Sequence, residues 1–164
     1  MPKVLLSLGS NLGDSREILK SALKDIRALN TVKDFRVSSF YRTKPVGYAD
    51  QDDFLNLACT FETELEPLNL LDKLQALEYK YKRVRLFKDG PRTLDIDIIA
   101  YGDECSDDER LTLPHPRMQD RAFVLAPLAE IAEDFVVKKF NTSIGKLYKK
   151  LPDTEKKDVV KLNG

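Results

Sequence analysis

Leu94-Asp95-Ile96-Asp97-Ile98-Ile99-Ala100-Tyr101 is an apolar run interrupted at alternate positions by two carboxylates, and its reading decides the fold. Residues two apart in a strand share a face, so Asp95 and Asp97 stand together on one side of this one. Like charges held side by side on a sheet repel and lose solvation. Two readings stay open. Either the strand is an edge with its polar face in water, or the pair takes a hard divalent cation such as magnesium, which accepts oxygen from one or two carboxylates, substrate phosphates and water. Just upstream, Gly90-Pro91-Arg92-Thr93 carries a guanidinium that could supply positive charge to those same phosphates.

Working outward, the strand closes a regular order. A helix starts after Pro67, where proline suits the first turn, and runs through Leu70, Leu71, Leu74, Leu77 and Glu78 toward Lys82. Before it, Phe54 to Glu62 and Phe35 to Arg42 read as strands. Ile18, Leu19, Ala22, Leu23, Ile26 and Leu29 recur at helical spacing up to Asn30. Lys3 to Leu8 is a first strand, ending at the turn cluster Gly9-Ser10-Asn11-Leu12-Gly13-Asp14, whose last residue can cap the helix. Gly9 and Gly13 read as turn residues, since their spacing fits neither of the usual nucleotide fingerprints. The order β-α-β-β-α-β predicts an α+β fold, a ferredoxin-like sandwich with an antiparallel sheet and both helices on one face. Additional C-terminal elements follow: Leu113-Pro114-His115-Pro116-Arg117, a helix from about Asp120 through Ile131, and a polar, lysine-rich end.

Composition narrows the class. With 164 residues, 42% of them apolar, the chain suffices for one buried core, so a single domain over residues 1–164 is expected, with 145–164 as its polar end. The 27 basic and 27 acidic residues cancel, so no global field draws the protein to nucleic acid or membrane. Charge is nonetheless local: Lys80, Lys82, Arg83, Arg85, Lys88 and Arg92 face one acid, Asp89, whereas Asp103 to Glu109 holds five acids and no base. Cys59 and Cys105 form no Cys-x-x-Cys pair and His115 is the only histidine, which argues against zinc. The apolar run at the N-terminus is too short for a signal peptide, and no stretch approaches the ~20 apolar residues of a membrane span. A cytoplasmic protein is expected.

The connections at residues 43 to 53 and 83 to 92 are long, and long loops in compact domains are often functional. Basic groups for phosphate beside acids for magnesium are what phosphoryl transfer requires, since its catalysis is mostly positioning and charge stabilisation.

Five strings carry a resemblance: Leu8-Gly9-Ser10-Asn11-Leu12-Gly13-Asp14, Ser38-Ser39-Phe40-Tyr41-Arg42-Thr43, Phe54-Leu55-Asn56, Gly90-Pro91-Arg92-Thr93-Leu94-Asp95-Ile96-Asp97, and Leu113-Pro114-His115-Pro116-Arg117 with Arg121-Ala122-Phe123-Val124-Leu125. Over roughly residues 3 to 135 the chain resembles the 6-hydroxymethyl-7,8-dihydropterin pyrophosphokinases of folate biosynthesis. The resemblance implies attack of the pterin hydroxymethyl oxygen on the β-phosphorus of ATP, with release of AMP. It implies that Asp95 and Asp97 hold two magnesium ions, and that Arg83 and Arg92 belong to catalytic loop segments closing on the triphosphate. Arg85, His115 and Arg121 would complete the ATP site, and Gln75, Glu78, Ile98, Arg110 and Thr112 match further positions around the nucleotide. The pterin would lie between Phe54 and Phe123, with Asn56 reading its edge and backbone around Thr43, Pro45 and Val46 completing the pocket. The resemblance further implies small-molecule partners only and a monomer.

Two departures stand out. Lys88-Asp89 occupies the place where some relatives carry a large aromatic before Gly-Pro-Arg, and Phe54 replaces a tyrosine of some relatives. Two other classes compete. An RNA-binding module shares the sandwich but lacks a reason for Asp95 and Asp97 on its binding face. A relative that binds nucleotide without turnover would release no AMP.

Overall fold

The structure, a computed structural model, describes residues 1–11, 14–44, 53–81 and 94–162. Its central sheet is built on β1 (Lys3–Ser10), whose residues are buried from Val4 onward because both its faces are covered. β1 pairs antiparallel with β4 (Phe54–Glu62) on one side and with β5 (Asp95–Tyr101) on the other. Beyond β4 lie β2 (Lys33–Val37) and β3 (Tyr41–Thr43).

The segment read as one strand over Phe35–Arg42 is thus two short ones. Ser38 N–H still donates to the Ala58 carbonyl at 2.9 Å, but residues 38–40 stand opposite only Leu57 and Ala58, and the register of β2 against β4 already shifts between Lys33 and Arg36. A bulge of this kind bends a strand and strengthens its twist. Strand β1 also runs two residues further than its apolar run, so Gly9 is a sheet residue, opposite Asn56 on one side and Asp95 on the other.

Helices α1 (Ser15–Arg27) and α2 (Pro67–Tyr81) cover one face, as the apolar spacing predicts. The Asp14 side chain caps α1 by accepting the Glu17 N–H at 3.4 Å. Leu19, Ala22, Ile26, Leu70 and Leu74 meet Val4, Leu6, Leu8, Leu57, Phe61, Ile96 and Ile98 in one apolar cluster. Each fully buried leucine or isoleucine there contributes roughly 1.5–3 kcal/mol.

The second face carries a further layer. After the small hairpin β6 (Ser106–Asp107) and β7 (Thr112–Leu113) comes a 3-10 turn, Met118–Asp120, and then α3 (Ala122–Ala132). The hairpin β8 (Val136–Val137) and β9 (Thr142–Ser143) leads into α4 (Ile144–Lys150) and α5 (Asp153–Lys156). Leu125 and Leu128 of α3 and Ile144 and Leu147 of α4 pack on Leu5, Ala58, Ile99 and Ala100. Ile99 and Ala100 face this layer together because the β1–β5 register skips a residue: Leu6 lies opposite Ile98, Leu5 opposite Ala100.

The polar end closes the sheet rather than trailing from it. β10 (Val159–Lys161) pairs antiparallel with β3, giving the order β10-β3-β4-β1-β5, with β2 also on β4. α3 is fastened to the same edge by Glu130, whose carboxylate accepts from the Tyr41 hydroxyl at 2.7 Å and from the Ser39 N–H at 3.0 Å. Burial and this carboxylate push the Tyr41 phenol well above its usual value. The layout is α+β, with an antiparallel sheet between helical layers.

Candidate active site

The site is built from rows of residues facing one another across strands. On the sheet's second face, Asn56, Gly9 and Asp95 form one row across β4, β1 and β5, and Ala58, Ser7 and Asp97 form the next. Phe54, Thr43 and Val159 form a third across β4, β3 and β10. The body of α3 covers the middle of this face, and past its N-terminal end the rows line a cavity of about 550 Å³. Arg121, Ala122 and Phe123 bring the start of the helix to the cavity wall, where unpaired N–H groups and the helix dipole favour negative charge.

Several expected residues meet there. Thr43, Phe54, Asn56, Asp95, Asp97, Arg121 and Phe123 all line the one cavity. Phe54 and Phe123 are half-buried, with apolar faces suited to a flat ring. The Arg121 guanidinium lies over the Phe123 ring, 5.5 Å from its centre. Asn56 is buried and, among the described residues, its Oδ1 has no hydrogen-bond partner; the same is true of the buried Thr43 Oγ1. Buried acceptors left unpaired cost free energy unless something else satisfies them, so these two atoms mark a wall made for a polar guest.

Asp95 is half-buried and Asp97 exposed, on the same face of β5. A pair of hard oxygen donors on a cavity wall fits magnesium, which typically takes one or two carboxylates and completes its shell with phosphate and water.

His115 stands between Asp97, Arg117 and Arg121. Its backbone N–H donates to the Ile99 carbonyl at 2.8 Å, and its Nδ1 accepts the Arg117 N–H at 3.2 Å. With Nδ1 an acceptor, the neutral ring carries its proton on Nε2. Burial pushes its pKa below 6.5; Asp97 pulls it back up, and Arg121 and Arg117 push it down again.

His115 and the remaining described nucleotide residues lie outside that cavity wall, on which Arg121 alone of the described members of the expected ATP set stands. Strand β5 ends the sheet order, and Glu78 Oε2 accepts the Ile96 N–H there at 2.8 Å. Gln75 and Arg110 are exposed and joined: the Arg110 guanidinium donates to Gln75 Oε1 at 3.1 Å and to Asp72 Oδ1 at 2.5 Å. Thr112 is in β7, its Oγ1 3.5 Å from the Asp108 carbonyl. The Ile98 side chain belongs to the apolar cluster under α1 and α2, 3% exposed and on the opposite face from Asp97. Pro45, Val46, Arg83, Arg85 and Arg92 lie outside the described residues, as do Lys88 and Asp89.

Sequence reasoning missed part of the wall. Ser7, Gly9, Lys44, Arg117, Asp120, Glu155, Asp158 and Val159 also line the cavity. Arg117 sits in a string already singled out, and Ser7 is found once the β1–β5 register is known. Nothing in the polar end signalled Glu155 or Asp158, which arrive there because β10 joins the sheet.

The family model for 7,8-dihydro-6-hydroxymethylpterin-pyrophosphokinase matches residues 5–133. A curated 2-amino-4-hydroxy-6-hydroxymethyldihydropteridine pyrophosphokinase from Haemophilus influenzae is 50% identical over 132 residues, 80% of this chain and 82% of its own length. One of the same name from Bacillus subtilis is 45% identical over 128 residues, 78% of this chain and 77% of its own. Among solved structures, wild-type HPPK-DHPS of Plasmodium falciparum aligns with TM-score 0.70 and 17% identity, covering 92% of this chain and 43% of that one. At that identity the likeness concerns the fold alone, and this chain spans less than half of the longer protein.

Proposed function

We infer the work of the site from one premise: the chain belongs to the 7,8-dihydro-6-hydroxymethylpterin-pyrophosphokinase family. It transfers a pyrophosphoryl group from ATP to hydroxymethyldihydropterin, a step of folate biosynthesis. The observation that carries the assignment of roles is the shared cavity wall, in which Phe54, Asn56 and Phe123 stand beside Asp95 and Asp97.

In our reading the pterin ring lies between Phe54 and Phe123, and its N–H groups satisfy the unpaired Asn56 Oδ1 and Thr43 Oγ1. Pro45 and Val46 complete that pocket through their backbone. The ring's hydroxymethyl arm then points along the row from Asn56 over Gly9 to Asp95. Its oxygen attacks the β-phosphorus, the bond from that phosphorus to the α-phosphate oxygen breaks, and AMP departs. Asp95 and Asp97 would hold two magnesium ions, whose chemistry is to screen the triphosphate charge and favour the alkoxide of the arm. Arg121 and the Nε2–H of His115 donate to phosphate oxygens, and Arg83, Arg85 and Arg92 supply the remaining positive charge.

The nucleotide lies along the outer edge of β5, with Gln75, Glu78, Arg110 and Thr112 around it and Ile98 contributing through its backbone. We read the sandwich as ferredoxin-like, on the strength of the β-α-β-β-α-β order and an antiparallel sheet with β1 between β4 and β5. The chain is taken as a single domain, monomeric and cytoplasmic, acting on small molecules and not on nucleic acid. Balanced charge supports the last of these, and among the described residues no helix is long and apolar enough to cross a membrane.

The test is AMP release from ATP, magnesium and the pterin. Asp97→Ala should lower turnover by about 10²-fold or more in a protein that still melts cooperatively. Undiminished turnover in the variant, or in the parent protein with excess chelator, overturns the reading.

A further inference from the structure

Gly9 is the last residue but one of β1, inside the paired part of the strand, where glycine is a costly choice. It is paired on both sides, opposite Asn56 and opposite Asp95, and its backbone is outside the left-handed region that would demand glycine. An alanine would satisfy the same backbone and, on propensity, suit a strand better by roughly 0.5–1 kcal/mol. What an alanine would disturb is the neighbouring side chain. A Cβ built on Gly9 would stand 2.7 Å from Asn56 Nδ2, a separation at which one of the two must move. Glycine inside a strand commonly marks such a close approach.

The neighbour it would displace is not filler. Asn56 is 4% exposed, lines the cavity, and holds an Oδ1 that no group among the described residues satisfies. We propose that Gly9 is a positioning residue for pterin recognition: its missing side chain is the seat in which the Asn56 carboxamide rests in the orientation that reads the ring. This rests on the pyrophosphokinase reading above and adds to it a residue that touches the substrate's reader. In the same row Asp95 lies on the other side of Gly9, and the three atoms nearest the added Cβ belong to Asn56 and Leu55, none to Asp95. The effect should therefore fall on the pterin and spare the nucleotide.

The experiment is a double-mutant cycle with Gly9→Ala, Asn56→Ala and the double variant, titrated by calorimetry with 6-hydroxymethylpterin in the presence of magnesium and a non-hydrolysable ATP analogue, and separately with the analogue alone. Gly9→Ala should weaken pterin binding tenfold or more and leave the analogue within twofold. In the double variant the amide is gone and the space is open, so the added Gly9→Ala should cost nothing beyond Asn56→Ala. Pterin affinity within twofold of the parent for Gly9→Ala overturns the proposal, as does a double variant whose loss is the product of the two single losses. If Gly9→Ala alone fails to fold, a folded double variant matching Asn56→Ala upholds it, and a double variant that also fails to fold assigns the glycine to the sheet. A parent protein that binds the ATP analogue but no pterin overturns the substrate reading on which the proposal stands.

Discussion

His115 is the chain's only histidine, so its titration can be followed without ambiguity. Because burial holds its pKa below 6.5 in the folded protein, the unfolded chain binds the extra proton first as pH falls. The neutral ring thus contributes stability that is fully present above 6.5 and is lost as pH drops through the folded value. In the ligand-free protein the imidazole C–H resonances should titrate with a midpoint below 6.5, and His115→Gln should flatten the acid-side decline of unfolding free energy. A midpoint at or above 6.5 would show that Asp97 outweighs burial and the two arginines. At this scale chemistry was legible where identity alone carries it: Asp95 and Asp97 as oxygen donors, Phe54 and Phe123 as flat apolar faces. Gly9 was misread as a turn residue, since its role depends on Asn56 arriving beside it.

Among the elements, β10 is the one whose function depends most on tertiary pairing. Lys44 N–H donates to the Asp158 carbonyl at 3.4 Å and Leu162 N–H to the Phe40 carbonyl at 2.8 Å. Antiparallel pairing alternates, so Val160, opposite Arg42 midway between them, sits in a hydrogen-bonded pair. Its side chain is 42% exposed, which makes Val160→Pro a test of the backbone. The proline removes a ladder donor, and the unpaired Arg42 carbonyl costs about 1–3 kcal/mol. With Glu155, Asp158 and Val159 loosened from the cavity wall, the Michaelis constant for the pterin should rise at least severalfold while that for ATP holds. Equal loss of both, or of neither, would mean that β10 is an edge cover and no part of the pocket. Helices α1 and α2 were legible because each buries a stripe of its own sequence. The strand over Phe35–Arg42 was only half legible, because its break at residues 38–40 follows from bending against β4.

For the whole molecule, two apolar clusters on opposite faces of one sheet hold the fold, and the carboxylate pair sits at their margin. A chelator should therefore leave the melting temperature of the ligand-free protein unchanged. Pterin, magnesium and a non-hydrolysable ATP analogue together should raise it: at 100 times the dissociation constant, binding stabilises by about 2.7 kcal/mol, or roughly 5–10 °C for a domain of this size. A chelator should abolish that rise. A ligand-free melt that falls with chelator would make the metal part of the scaffold. The sequence by itself determined the order of elements, the helical stripes and the common face of Asp95 and Asp97, because these depend on periods of two and 3.6 residues that the backbone imposes locally. Only the tertiary structure decided that Asn56, Gly9 and Asp95 form one row and that a lysine-rich tail supplies the last wall. Each of these depends on which strands lie side by side and in what register, a choice made by burying both faces of the sheet at once.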